Sequence, residues 1–212
     1  MYSVLQNKAN IQLRTNPYPY FIIDDALPID LYNKLNNDFP KYEKIIENNR
    51  GLTDYQENTA YRYNAAQSML DNSVTEDWKN FINYHTSHEF TEELFEIFLE
   101  QIQNIYKVGK DKLPNKNNTG VRFKDKSFFS TDCQFVINTP TSGETTVIEP
   151  HLDNPKEFYA ALFYMREPDD VSTGGSLTTH AFKDKPSFYG KSRVREEKVN
   201  LVEEIEYKQN RL

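Results

Sequence analysis

His151 and Asp153, within the run Glu149-Pro150-His151-Leu152-Asp153-Asn154-Pro155-Lys156, are the residues of this chain whose types and spacing come closest to chemistry. In an extended segment, residues i and i+2 point to the same side, so this imidazole and this carboxylate aim together. Such a pair makes half of a metal cradle, and an ion with positions left open is reactive rather than structural. The competing account of the same residues is a surface turn marked by Asn154-Pro155. His180 completes a His-Asp-His set by composition, but it lies only five residues beyond Gly175 and reads as a strand or turn histidine. His85 and His88 flank Thr86-Ser87, where a capping or solvated role suits them better than ligation. Cys133 reads as a small buried residue, because no histidine follows it at a spacing that would make it a nucleophile.

The elements that must position these residues change character along the chain. Residues 20–24 (YFIID) are β-prone, and after Leu27-Pro28 the run 29–39 carries apolar Ile29, Leu31, Leu35 and Phe39, which predicts a strand followed by a helix starting near Pro28. Residues 41–72 are polar and weakly periodic, so loops with one irregular strand are expected there. From 75 to 106, Trp78, Phe81, Ile82, Phe90, Leu94, Ile97, Phe98, Ile102 and Ile105 recur at three- and four-residue steps. That spacing predicts two amphipathic helices. The segment 109–120 (GKDKLPNKNNTG) reads as an exposed connection. Beyond it the helical period gives way to short β-prone runs at 121–123, 128–138, 145–150, 158–165, 175–182 and 198–207, separated by turn-forming residues. Short strands at regular spacing point to a jelly-roll-like double sheet rather than a βαβ layout. The expectation is a single domain over 1–212, with a helix-rich part at 1–108 and a β-rich part at 121–212.

Composition narrows the function. With 25 Lys and Arg against 32 Asp and Glu, the net charge is −7, which removes electrostatic support for nucleic acid as a partner. One cysteine cannot form an intrachain disulfide, and no apolar run approaches the roughly 20 residues that span a bilayer. The first twenty residues lack the basic start and apolar centre of a signal peptide, so a soluble, cytoplasmic protein without a membrane partner is expected. No GxGxxG, Walker A or CxxC pattern occurs, which sets aside the usual dinucleotide, phosphate-loop and zinc-finger readings.

Read in order, YFIIDDALP (20–28), QFVINTP (134–140), PHLDNPKEFYAALFYMR (150–166) and DDVSTGGSL (169–177) resemble the prolyl-4-hydroxylase-like oxygenases that depend on Fe(II) and 2-oxoglutarate, including forms met in phage and marine bacteria. The resemblance runs with gaps from about Pro17 to Gly175. It implies a mainly β fold, a double-stranded β-helix of the jelly-roll or cupin kind with helices packed at its N-terminal side. It makes His151 and Asp153 iron ligands and Gly174-Gly175 a turn between two core strands. It also implies 2-oxoglutarate as co-substrate, decarboxylated to succinate, with dioxygen, and it admits ascorbate as a further cofactor. Tyr159, Tyr164 and Lys156, on or beside the following strand, are the candidates for contact with 2-oxoglutarate. The substrate class would be a protein side chain, an amino acid or a sugar.

The family pattern also calls for a second histidine on a later strand and an Arg or Lys beyond it. Neither stands at the family's place within these 212 residues, and many members carry a tyrosine where Ile148 stands here. Arg193, Arg195 and Arg211 fall before the family's basic position and receive no carboxylate-binding role. The expectation is a chain truncated before the distal histidine, lacking its last core strands. Two alternatives stand beside the oxygenase. One is a non-catalytic jelly-roll module that binds a carbohydrate or protein ligand; the other is a zinc hydrolase, for which no general base is placed by a motif.

Overall fold

A computed structural model of the chain describes residues 2–107, 109–143, 149–154, 157–167, 169–189 and 192–212. Its elements run β1 (Gln12–Arg14), β2 (Tyr20–Ile22), α1 (Ile29–Asn37), α2 (Tyr42–Glu47), β3 (Ala60–Tyr63), α3 (Ala65–Ser68), α4 (Glu76–His85) and α5 (His88–Tyr106). They continue with β4 (Thr119–Val121), β5 (Phe129–Thr131), β6 (Phe135–Asn138), β7 (Leu177–Phe182) and β8 (Val199–Ile205). The chain divides into two compact units, one made of Met1–Gln6 and Ile29–Val147, the other of Asn7–Pro28 and Ile148–Leu212. The connection near Gly109 therefore lies inside the first unit, and β4, β5 and β6 belong with the helices.

The first unit is organised by aromatic side chains. α1 starts after Pro28, with Asp30 in its first turn favourably placed against the helix dipole, and buries Tyr32 and Leu35. Trp78 of α4 donates its indole N–H to the Leu35 carbonyl (2.9 Å) and meets Phe135 of β6 edge to face at 4.7 Å. Phe39, Phe81 and Tyr63 complete the cluster around these two rings. Each large apolar side chain taken wholly out of water here contributes about 1.5–3 kcal/mol. α4 and α5 cover the expected helical stretch, and the break between them is local: Thr86 donates to the Ile82 carbonyl, and the Ser87 hydroxyl caps the amide of Phe90. Thr131, at the end of β5, donates to the Thr86 carbonyl (2.7 Å) and so holds the β part against this corner.

β3 pairs antiparallel with β6, from Ala60 opposite Asn138 to Tyr63 opposite Phe135, while β4 and β5 pair in parallel. β3, α2 and α3 fall in the weakly periodic stretch where only loops and one irregular strand were expected. α2 and α3 are six and four residues long, too short to display a 3.6-residue period.

In the second unit β1 pairs antiparallel with β2, and β7 with β8, the latter with a bulge between Thr179 and His180. Residues 210–212 form a short ladder with 23–26: Ile23 and Leu212 exchange two bonds (2.8 and 2.9 Å), and the Ala26 amide donates to the Asn210 carbonyl. On their other side, the Tyr164 amide donates to the Arg211 carbonyl and the Asn210 amide to the Tyr164 carbonyl. The Asn210 side chain, fully buried, satisfies both the amide and the carbonyl of Leu27. Arg211 grips Asp24 through Nε (2.7 Å) and Nη2 (3.1 Å).

Among the described residues every sheet has two strands. Two sheets packed face to face, the double-stranded β-helix expected above, are not among these pairings. The run 158–165, expected as a core strand, forms no strand; the Tyr164 amide and carbonyl bond to residues 211 and 210, and Leu162 is exposed. Aromatic composition favours a strand, but a strand exists only where a neighbour accepts its amides in register. Of the expected run 145–150, residues 145–148 lie outside the described residues. No helix among the described residues is long and apolar enough to cross a membrane.

Candidate metal centre

The His151 segment is held by one ladder step in the second unit. His151 and Arg193 form an antiparallel bridge, framed by bonds from the Leu152 amide to the Ser192 carbonyl (3.0 Å) and from the Val194 amide to the Pro150 carbonyl (2.7 Å). Those two bonds flank the pair rather than join it, which is the narrow kind of antiparallel pair, with side chains close on one face. Arg193 in turn bridges Tyr189, whose amide donates to the Arg193 carbonyl (2.9 Å). Tyr189, Arg193 and His151 thus form a row across the ribbon, and Glu149, His151 and Asp153 form a row along it. Val194, of opposite parity, is buried beneath.

On that face the two expected ligands do meet: His151 Nε2 stands 3.5 Å from Asp153 Oδ1. His151 Nδ1 lies 2.8 Å from the Glu149 carbonyl oxygen, which can only accept, so Nδ1 carries the proton. In the Nδ1–H tautomer of the neutral ring, the lone pair of Nε2 faces a carboxylate. Two acceptors facing each other, with side chains 34% and 60% exposed, are satisfied by a bridging water or by a cation between them. The separation exceeds the roughly 2.7–2.9 Å of a direct charge-assisted hydrogen bond. Backbone fixation of the far ring nitrogen is the usual way a ligating histidine is oriented. The donor chemistry fits two positions of a metal. Among the described residues no group of three or more His, Cys, Asp or Glu is placed to hold one.

Around the pair, the Tyr189 hydroxyl donates to the Glu149 carboxylate, and Arg193 Nη1 stands 3.6 Å from the same oxygen. The Glu149 carboxylate at its hydroxyl holds the Tyr189 phenol above the usual tyrosine range. Tyr18, between β1 and β2, is raised as well, by loss of water first and by the Asp153 carboxylate second. That places a phenol within electrostatic reach of the candidate ligand.

The remaining candidates lie elsewhere. Tyr164 packs on Tyr207 at 5.0 Å and is raised by burial, with Arg211 acting against the rise; its backbone belongs to the 210–212 ladder. Tyr159 is half-buried in the irregular stretch, and Lys156 lies outside the described residues. Gly174 and Gly175 both take positive φ, as a turn requires, but they lead from irregular chain into β7 rather than from strand to strand. His180 sits in β7 opposite Leu201 and does not join His151 and Asp153 in a metal-holding group. His85 is a buried core histidine rather than a capping or solvated one, while His88 pairs with Glu89 at 3.1 Å. Burial and the Asp132 carboxylate push the Cys133 thiol up to about 12, which leaves it unreactive at neutral pH.

Glu149, Tyr189 and Arg193 were not singled out as site residues from the sequence. Glu149 could have been found, since it continues the alternation of His151 and Asp153 by one step. Tyr189 and Arg193 carry no local signal, because a cross-strand pairing is not written in spacing. Comparison with known proteins finds no matching family model, no similar curated protein and no similar solved structure.

Proposed function

We propose that this chain is an iron(II)- and 2-oxoglutarate-dependent oxygenase of the prolyl-hydroxylase-like kind, with His151 and Asp153 as two of the metal ligands. The observation that carries this reading is His151 Nε2 standing 3.5 Å from Asp153 Oδ1 on one ribbon face, with Nδ1 on the Glu149 carbonyl. Bound there, iron with 2-oxoglutarate and dioxygen would supply decarboxylation to succinate and hydroxylation of a C–H bond. In this reading the chain's own residues would present the donor pair, with the Glu149 carbonyl on the imidazole, Arg193 across the bridge from it and Tyr189 on the Glu149 carboxylate. The substrate class stays that of the resemblance: a protein side chain, an amino acid or a sugar.

A second reading is favoured by one feature. The described residues gather only two ligands, and the face around them is an open array of phenol, guanidinium and carboxylate groups that suits a non-catalytic binding module for a carbohydrate or protein ligand. One experiment separates the two. Under anaerobic conditions, Fe(II) and 2-oxoglutarate should produce a weak visible charge-transfer band near about 500 nm, and His151→Ala should abolish it. No band with the wild-type chain, or the same band in His151→Ala, sinks the oxygenase reading.

A further inference from the structure

We infer that Tyr189 and Glu149 are positioning residues for His151, an inference that rests on the proposed metal-binding role of the His151–Asp153 pair. The Glu149 main-chain carbonyl orients the imidazole, accepting from Nδ1 at 2.8 Å. Two constraints set the direction of that carbonyl. Pro150 follows, and the residue before a proline is restricted to extended conformations, which is a local, sequence-encoded constraint. The other is tertiary: the Glu149 side chain is held from across the ribbon by the Tyr189 hydroxyl, with Arg193 Nη1 3.6 Å from the same carboxylate oxygen.

Arg193 also binds the two strands of the assembly into one piece. Its backbone carbonyl accepts the Tyr189 amide, and its position is the cross-strand partner of His151. The result is a closed circuit, from Tyr189 hydroxyl to Glu149 side chain, from Glu149 carbonyl to His151 Nδ1, and from His151 back across the bridge to Arg193 and Tyr189. Neither phenol nor carboxylate needs to touch the metal. Their part is to keep the ring in the orientation that turns Nε2 to Asp153. The group one shell out from His151 is the Glu149 carbonyl, which the Tyr189 hydroxyl and the Glu149 side chain hold indirectly, and partners in that shell typically contribute 10- to 100-fold in metal affinity.

The test uses the full chain with Co(II) as the probe, followed by its visible absorption, together with the ring-nitrogen NMR shifts of His151 in the metal-free protein. Wild type should bind Co(II), and His151→Ala should not. Tyr189→Phe and Glu149→Ala should each weaken binding by about tenfold. The double variant should be no weaker than Glu149→Ala alone, because both act through one chain of contacts. Glu149→Gln, which keeps an acceptor for the Tyr189 hydroxyl, should recover most of the affinity. In the metal-free protein His151 should be the Nδ1–H tautomer, and Tyr189→Phe should give a mixture of tautomers at unchanged melting temperature. If wild type binds Co(II) and Tyr189→Phe binds equally well with its tautomer unchanged, the positioning role is overturned while the metal reading stands. If wild type does not bind Co(II), the metal reading falls, and the positioning role falls with it.

Discussion

The imidazole of His85 lies against Phe81 at 3.9 Å and Phe90 at 4.5 Å, with Nδ1 donating to the Phe81 carbonyl (2.8 Å) and Nε2 accepting the Val4 amide (3.2 Å). Both nitrogens are used by a neutral ring, and protonation would set an N–H against the N–H of Val4. Burial accordingly lowers the pKa from 6.5 to about 4, against the opposing effect of the Phe81 carbonyl. Because the folded pKa lies below the unfolded one, the unfolded chain binds the proton first as the medium is acidified. Stability from this group is complete above pH 6.5 and is lost as the pH falls towards 4, with no further loss below. The loss should be on the order of 3 kcal/mol. Urea denaturation of wild type at pH 7 and pH 4 measures it, with His85→Gln as the reference that lacks the titration; equal pH slopes for the two would contradict the assignment. His85 also shows where sequence stops being informative. Its position beside Thr86-Ser87 suggests a helix-end role, but whether a ring at a helix end faces water or Val4 depends on residues 81 positions away.

At the scale of elements, the 3.6-residue repeat from Trp78 to Ile105 forecasts α4 and α5, because each helix must bury a continuous stripe and the stripe is visible in the sequence. Trp78, at the start of that stripe, touches Phe39, Phe81 and Phe135 and donates to the Leu35 carbonyl. Trp78→Ala should destabilise the first unit by about 3–5 kcal/mol, read as a lowered denaturant midpoint; a change under about 1 kcal/mol would mean the cluster is not the packing centre. Strands are less legible than helices here. The runs at 20–24, 175–182 and 198–207 do contain β2, β7 and β8, whereas 158–165, with equally suitable residues, forms none. The difference lies in what stands alongside: β7 pairs with β8 through six residue pairs broken by one bulge, whereas among the described residues no strand pairs with 158–165.

For the whole molecule, charge and exposed apolar surface set the behaviour in solution. The chain carries −7 at neutral pH and is neutral near pH 5.2, while Leu70, Phe128 and Val171 are almost fully exposed. Self-repulsion keeps such a surface dispersed only when the net charge is well away from zero. Light scattering at low ionic strength should therefore peak close to pH 5.2 and fall towards pH 7. A flat profile would show that these side chains do not drive association.

The sequence by itself determined the features that depend on near neighbours. These include the helical stripe of α4 and α5, the start of α1 after Pro28, and the common face of His151 and Asp153, which follows from alternation in extended chain. Pro150 likewise determines that Glu149 is extended. Tertiary structure alone decided which segments pair: residues 210–212 with 23–26, Arg193 with His151, and β4 to β6 with the helical unit rather than with the later strands. It also decided that Tyr189, 40 residues from Glu149, closes over its carboxylate. The reason is physical. Periodicity and capping are short-range and repeat within a turn or a strand step, but a ladder bond between distant segments forms wherever burial and unsatisfied amides make it the best choice open to the folded chain.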